Sequence, residues 1–112
     1  MFKIDAIIQP GKLEAVRRAV MLIGIDGMTV SEVRGHGRQK GHVETYRGRE
    51  YKVDFLPKVR IEMVVADHRK EEVLRVLAEA ARSGAIGDGK IFVQPVLDAI
   101  RIRNEDRGES AL

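Results

Sequence analysis

Two strand-like alternations, each followed by a helix-like apolar period, stand on either side of a long glycine-punctuated stretch, and this order most constrains the fold. Phe2, Ile4, Ala6 and Ile8 alternate with Lys3, Asp5 and Ile7, the period-two pattern of a strand with one apolar face. Pro10-Gly11 ends that run. Leu13, Val16, Val20 and Ile23 then recur at three- and four-residue spacing, an amphipathic helix with Gly24 as its stop. Met28 to Arg34, rich in Thr and Val, reads as a second strand. Beyond the long stretch, Val59, Ile61, Met63 and Val65 alternate with Arg60, Glu62 and Val64 as a third strand. Val73, Val76, Leu77 and Ala80 mark a second helix over about Arg69 to Arg82. A glycine-rich turn from Gly84 to Lys90 leads into a fourth strand, Ile91 to Val96, and a short fifth, Ala99 to Arg103. The polar, acidic tail after Asn104 is expected to order only against a neighbour.

The order β-α-β-β-α-β is that of the ferredoxin-like split βαβ arrangement, an α+β sandwich in which both helices cover one sheet face. The other face would carry Ile7, Val64 and Phe92, an awkward surface to leave wet. Burial against sister subunits is the simplest remedy. With 112 residues the chain is a single domain by length. No run of eighteen apolar residues occurs, and Asp5 falls where a signal peptide would be apolar, so a cytoplasmic location without membrane insertion is expected. Cysteine is absent, which excludes disulfides, thiolate zinc sites and cysteine nucleophiles.

Between the halves lies GHGRQKGHVETYRGREYKVDFLP, Gly35 to Pro57, holding both tyrosines and two of the three histidines. Loops this long are uncommon in compact domains unless functional or disordered. Ordering one costs roughly 1–2 kcal/mol of backbone entropy per residue. A mobile arm that takes shape on meeting a ligand or partner is therefore expected. The net charge is only +3, but the excess is local. From His36 to Lys58, six cations (Arg38, Lys40, Arg47, Arg49, Lys52 and Lys58) face three acids, Glu44, Glu50 and Asp54. From Lys90 to Arg103, Lys90, Arg101 and Arg103 face Asp98 alone. Such clustering suits anionic ligands, or is simply a solvated charged surface.

Gly84-Ala85-Ile86-Gly87-Asp88-Gly89-Lys90 fits G-x-x-x-x-G-K, most of a phosphate-loop pattern. Ile91 replaces the Mg²⁺-ligating hydroxyl, and the turn follows a helix instead of preceding one, which argues against a nucleotide-hydrolysing loop. Its glycines can still bring backbone N–H groups to phosphate, with Lys90 adding charge. The plainer reading is a helix cap and a tight turn, which accounts for one glycine better than for three. Arg101 and Arg103, two apart on the expected fifth strand with Ile100 and Ile102 facing the other way, form either a phosphate clamp or a charged edge. Gln39 and Lys58 flank the arm. Lys58, fixed behind Pro57, suits a carboxylate, with plain surface polarity as the alternative. His36, His42 and His68 are too scattered for a metal site, and none of Ser31, Ser83 and Ser110 lies in a nucleophile motif. No acid–base pair is visible, which gives little reason to expect an enzyme.

The stretch GMTVSEVRGHGRQKGHVETYRGREYKVDFLPKVRIEMVV, with GAIGDGKIFVQPV and IRIR, closely resembles the PII nitrogen-regulatory signal-transduction family, from Ile4 to the tail RGESAL. The resemblance implies one domain over residues 1–112, with a mobile T-loop at about 36–57, a B-loop at about 82–90 and a C-terminal segment at about 101–112. It implies a homotrimer with ATP or ADP in clefts between subunits, and 2-oxoglutarate bound beside Mg-ATP. By position it gives Gly87, Asp88, Gly89 and Lys90 to the phosphates, with Arg101 and Arg103 from a neighbouring subunit and Arg38 from the T-loop base. Ile7, Thr29, Glu62 and Val64 match positions around the nucleoside. Gln39 resembles the residue that meets both Mg²⁺ and 2-oxoglutarate, Lys58 the one that pairs with its carboxylate, and Tyr51 the tyrosine that takes a nucleotidyl group from a modifying enzyme. Ammonium transporters and the regulation of glutamine synthetase are the kind of target implied. The chain departs from the usual pattern at Gly11, His36, Arg49, Ala85 and Asn104-Glu105.

Three classes follow. A regulatory sensor needs only differential affinity of its ligands for two arm shapes. A nucleotide hydrolase needs a base and a positioned water, for which the sequence offers no candidate; slow turnover is the most it supports. A nucleic-acid module would read RNA with sheet aromatics, yet aromatics make up 4% of the chain and no nucleic-acid partner is expected.

Overall fold

The computed structural model describes residues 1–37, 43–46, 49–52 and 55–112, the two short segments in the middle by backbone alone. Strand β1 (Phe2–Ile8) is followed by a 3₁₀ turn and helix α1 (Leu13–Leu22), then β2 (Thr29–Gly35). Short strands β3 (Val43–Tyr46) and β4 (Arg49–Lys52) precede the long β5 (Leu56–Val65). Helix α2 (Lys70–Ala81) leads to β6 (Gly89–Pro95). Four strands form one antiparallel sheet in the order β2-β5-β1-β6, the ferredoxin-like arrangement, and β3 pairs with β4 in a separate ladder.

The alternation sorts the sheet. Ile4, Ala6 and Ile8 of β1 and Ile61, Met63 and Val65 of β5 are buried beneath Val16 and Val20 of α1 and Val73, Leu77 and Ala81 of α2. Each fully buried aliphatic side chain contributes roughly 1.5–3 kcal/mol. Gly24 ends α1 in the left-handed region, with its N–H donated to the Met21 carbonyl and that of Ile25 to the Val20 carbonyl, a Schellman closure. Arg69, just before α2, donates to the Ile23 carbonyl and so ties the two helices' ends together.

Three expectations need correction. The helix-free face is less apolar than the sequence suggested. Register places Ile7, Val64 and Phe92 there, but Lys3, Asp5, Arg60 and Glu62 lie among them. Arg60 donates to both oxygens of Asp5 at 2.9 and 2.8 Å and pairs with Glu62, which also pairs with Lys3. A connected ion network therefore crosses the centre of this face. The fifth strand does not form. Residues 101–107 make a tight turn in which the Arg101 N–H donates to the Asp106 carbonyl and the Glu105 N–H to the Arg101 carbonyl, with only an isolated bridge from Ile100 to Arg107. Ile102 is exposed and anchors nothing among the described residues. Nor does the tail wait for a neighbour: Arg107 pairs with Asp98 at 3.0 Å, the Gly108 N–H bonds the Ala99 carbonyl, and 108–111 form a 3₁₀ turn. A further addition is the β3–β4 ladder, within a stretch in which no strand was expected; its Val, Thr and Tyr residues suit a strand.

Candidate functional site

The glycine turn is built to hold its shape. Helix α2 ends where Arg82 turns to extended backbone, its N–H still donating to the Ala78 carbonyl at 3.1 Å. Gly84, Gly87 and Gly89 all have positive φ. At Gly89 the demand is absolute, because a Cβ there would stand 1.7 Å from the Ile7 carbonyl oxygen. The turn thus comes against β1 as closely as backbone allows, and β6 starts in register opposite Ile8.

Asp88 organises the turn from inside. Its carboxylate accepts from the backbone N–H of Ser83 at 2.8 Å, that of Gly84 at 2.9 Å, and the Ser83 hydroxyl. These bonds, the hydroxyl foremost, hold the Asp88 carboxyl below its ordinary range. Lys58 is buried, which overturns the surface reading of this residue, and its Nζ donates to the Gly87 carbonyl at 2.7 Å. Desolvation lowers its pKa, an effect that the nearby Asp88 charge partly offsets. One hydrogen bond therefore joins β5, which runs out of the arm, to the glycine turn.

Beside the turn a cleft of about 260 Å³ opens between the end of α2 (Ala78, Ala81, Arg82) and the start of β6 (Gly89, Lys90, Ile91), with Ile7, Ile8 and Asp88 completing its lining. A second cavity, about 500 Å³, lies at the arm's base beside Pro10, Glu32, Arg34, Pro57 and Lys58. Among the described residues no cluster of three His or acidic side chains could hold a metal. No described helix is long and apolar enough to cross a membrane.

The family described as "Nitrogen regulatory protein P-II" matches residues 1–106. This chain belongs to the P-II family. It is 54% identical to the nitrogen regulatory protein P-II of Rhodospirillum rubrum over the full length of both chains, and 55% identical to that of Pasteurella multocida, again over both full lengths. It shares 54% identity with the nitrogen regulatory protein GlnK of Escherichia coli over 97% of each. Among solved structures it is similar to Arabidopsis thaliana PII bound to citrate, with a TM-score of 0.82 and 43% identity, covering 99% of this chain and 91% of that one. Membership makes it a nitrogen-regulatory protein of the signal-transduction type.

For this P-II chain, register brings Ile7, Thr29, Glu62 and Val64 onto one sheet face with Lys90; Thr29 and Glu62 stand directly opposite each other. Glu62 is already engaged by Lys3 and Arg60. Gly87, Asp88 and Gly89 border that face at the β1–β6 end, with Lys58 against them. Arg101 and Arg103 do not line the cleft. Arg101 pairs with Asp106 at 3.1 Å and donates to the Leu112 carbonyl, while Arg103 is exposed. Tyr51 lies in β4 opposite Glu44, with its side chain outside the described residues, and Arg38 and Gln39 lie outside them altogether. Two residues escaped the sequence reading, Ser83 as a partner of Asp88 and Arg82 as part of the cleft wall. A small hydroxyl residue two past the end of a helix, five before an Asp in a glycine turn, was the available signal for the first.

Proposed function

We propose that this P-II protein is a regulatory sensor that binds ATP or ADP at the Gly87–Lys90 turn and 2-oxoglutarate beside Mg-ATP, and signals through its arm. The observation that carries this reading is the Lys58–Gly87 bond, because it couples a phosphate-suited turn to the strand leaving the arm. A Lys ammonium has three donors, so Lys58 can keep or exchange that bond as it meets a ligand carboxylate. Citrate, named with the Arabidopsis relative, is a carboxylate ligand and is consistent with this chemistry.

Mg²⁺ fits only as part of a nucleotide complex, since the described residues lack a carboxylate cluster and Mg²⁺ wants six oxygens. Phosphate and keto-acid oxygens together with Gln39 would complete its shell; bound there, it supplies charge that bridges nucleotide and keto acid. Ile7, Thr29, Glu62 and Val64 would receive the nucleoside, and Arg38, Arg101 and Arg103 would add phosphate contacts. The protein acts as a homotrimer in the cytoplasm, and the arm, with Tyr51 as a nucleotidyl acceptor, docks onto targets such as an ammonium transporter or a regulator of glutamine synthetase. Turnover of ATP plays no part in the signal.

Calorimetry with ATP, ADP and 2-oxoglutarate in each combination, on samples checked for a trimeric mass by light scattering, tests this. 2-Oxoglutarate should bind tightly only with Mg-ATP, and Lys58→Ala should abolish its binding while sparing ATP. Equal binding of 2-oxoglutarate with ADP or without nucleotide would overturn the bridging role, and a stable monomer at micromolar concentration would overturn the assembly.

A further inference from the structure

We propose that Arg82 is a second cation of the phosphate subsite, bordering with Lys90 the cleft beside Gly89, so that one chain alone offers a polyphosphate two charges. The inference rests on the nucleotide reading above and adds a residue to it. Three observations carry it. Arg82 and Lys90 both line the cleft, one from the end of α2 and one from the start of β6. Neither side chain has an ion pair or hydrogen bond among the described residues, a state that Arg34 and Arg103 share, whereas Arg17, Arg18, Arg60, Arg69, Arg75, Arg101 and Arg107 are each matched to a carboxylate. The one acid in the cleft, Asp88, spends its oxygens on Ser83 and Gly84 and offers the two cations no partner.

The backbone around Arg82 is fixed at both ends. Its own N–H closes the last turn of α2, and the next residue, Ser83, is held by Asp88. The guanidinium therefore projects from an anchored base, which reduces the ordering cost of meeting a ligand. Location favours a second charge here. The cleft lies at the C-terminal end of α2, where the helix dipole repels an anion, and a cation beside Lys90 offsets that repulsion. Arginine supplies a planar fork suited to two phosphate oxygens at once, which Lys90 does not. The alternative is that Arg82 merely soothes the helix terminus, a role that would show in stability and not in phosphate recognition.

The test is titration of wild type, Arg82→Ala and Arg82→Lys with ATP, ADP, adenosine and inorganic tripolyphosphate, alongside thermal melts. Arg82→Ala should lose about 10-fold or more in ATP and tripolyphosphate affinity, the scale of a charge-assisted hydrogen bond. Adenosine binding should stay at the wild-type level, and Arg82→Lys should recover part of the loss. Unchanged ATP affinity in Arg82→Ala overturns the proposal, as does an equal loss for adenosine, which would mark a structural role. If wild type binds tripolyphosphate in an Arg82-dependent way but not ATP, the anion subsite stands and the nucleotide reading falls. If wild type binds neither, both fall.

Discussion

The glycine turn before β6 and the turn at residues 101–108 both carry cations proposed to meet phosphates, yet they treat Lys90 and Arg101 in opposite ways. In the first, the acid is turned inward. Asp88 binds backbone N–H groups and the Ser83 hydroxyl, leaving Arg82 and Lys90 without a carboxylate among the described residues. In the second, the acids are turned on the cations: Asp106 holds Arg101 and Asp98 holds Arg107. The first turn stands ready for an anion, whereas the second must give up an ion pair before Arg101 can serve one. Preorganisation of this kind lowers the cost of binding without adding any contact.

The contrast breaks most readily at glycine. Gly89→Ala sets a Cβ 1.7 Å from the Ile7 carbonyl oxygen at φ +103°, so β6 must move away from β1. A loss of about 3 kcal/mol or more is expected. Gly108→Ala in the other turn also has positive φ, but its Cβ meets nothing within 4 Å, and it should cost only about 1–2 kcal/mol. Comparable melting temperatures for the two variants would mean that the first turn is not the more rigid one.

Acid sharpens the same comparison at smaller amplitude. The Asp88 carboxyl is lowered from 3.8 in the folded chain, so its stabilisation is fully present above that value and is lost as pH falls through the lowered one. Asp88→Ala should melt below wild type at neutral pH, and the gap should close on titration below about 3.8. A gap that persists at the acid end would show that Asp88 acts through packing and not through its charge. The smallest effect belongs to Asp106→Ala. A partly exposed ion pair is worth about 0.2–1 kcal/mol, so freeing Arg101 should tighten ATP binding by at most about 5-fold. Weaker ATP binding in this variant would recast Asp106 as a residue that aims Arg101 instead of withholding it.

Most of the fold could be read directly from residue spacing. The Phe2-Ile4-Ala6-Ile8 and Val59-Ile61-Met63-Val65 alternations became β1 and β5, and the apolar periods of Val16-Val20 and Val73-Leu77 became the helix faces buried on them. The same rule failed at Ile100 to Arg103. Alternation records only a preference for extended backbone, and a strand exists only where a partner strand offers its N–H and C=O groups. Here the pairing with β1 stops at Pro95, and local bonds to Asp106 and Asp98 close the chain on itself. The site divided in a similar way. The glycines and Lys90 announced themselves as a motif, but Lys58 looked like surface, because burial and its contact with a carbonyl 29 residues away are written in no local pattern.

By itself, then, the sequence determined the core strands and helices, the glycine turn and the family, because these depend on period, on the positive φ that only glycine adopts freely, and on long runs of matching residues. Tertiary structure alone decided which charges are spent and which are left to a ligand. Whether a carboxylate faces a backbone N–H, as at Asp88, or a guanidinium, as at Asp106, is settled by how each turn curls over its own few residues, and whether Lys58 meets the Gly87 carbonyl by where packing brings distant segments together.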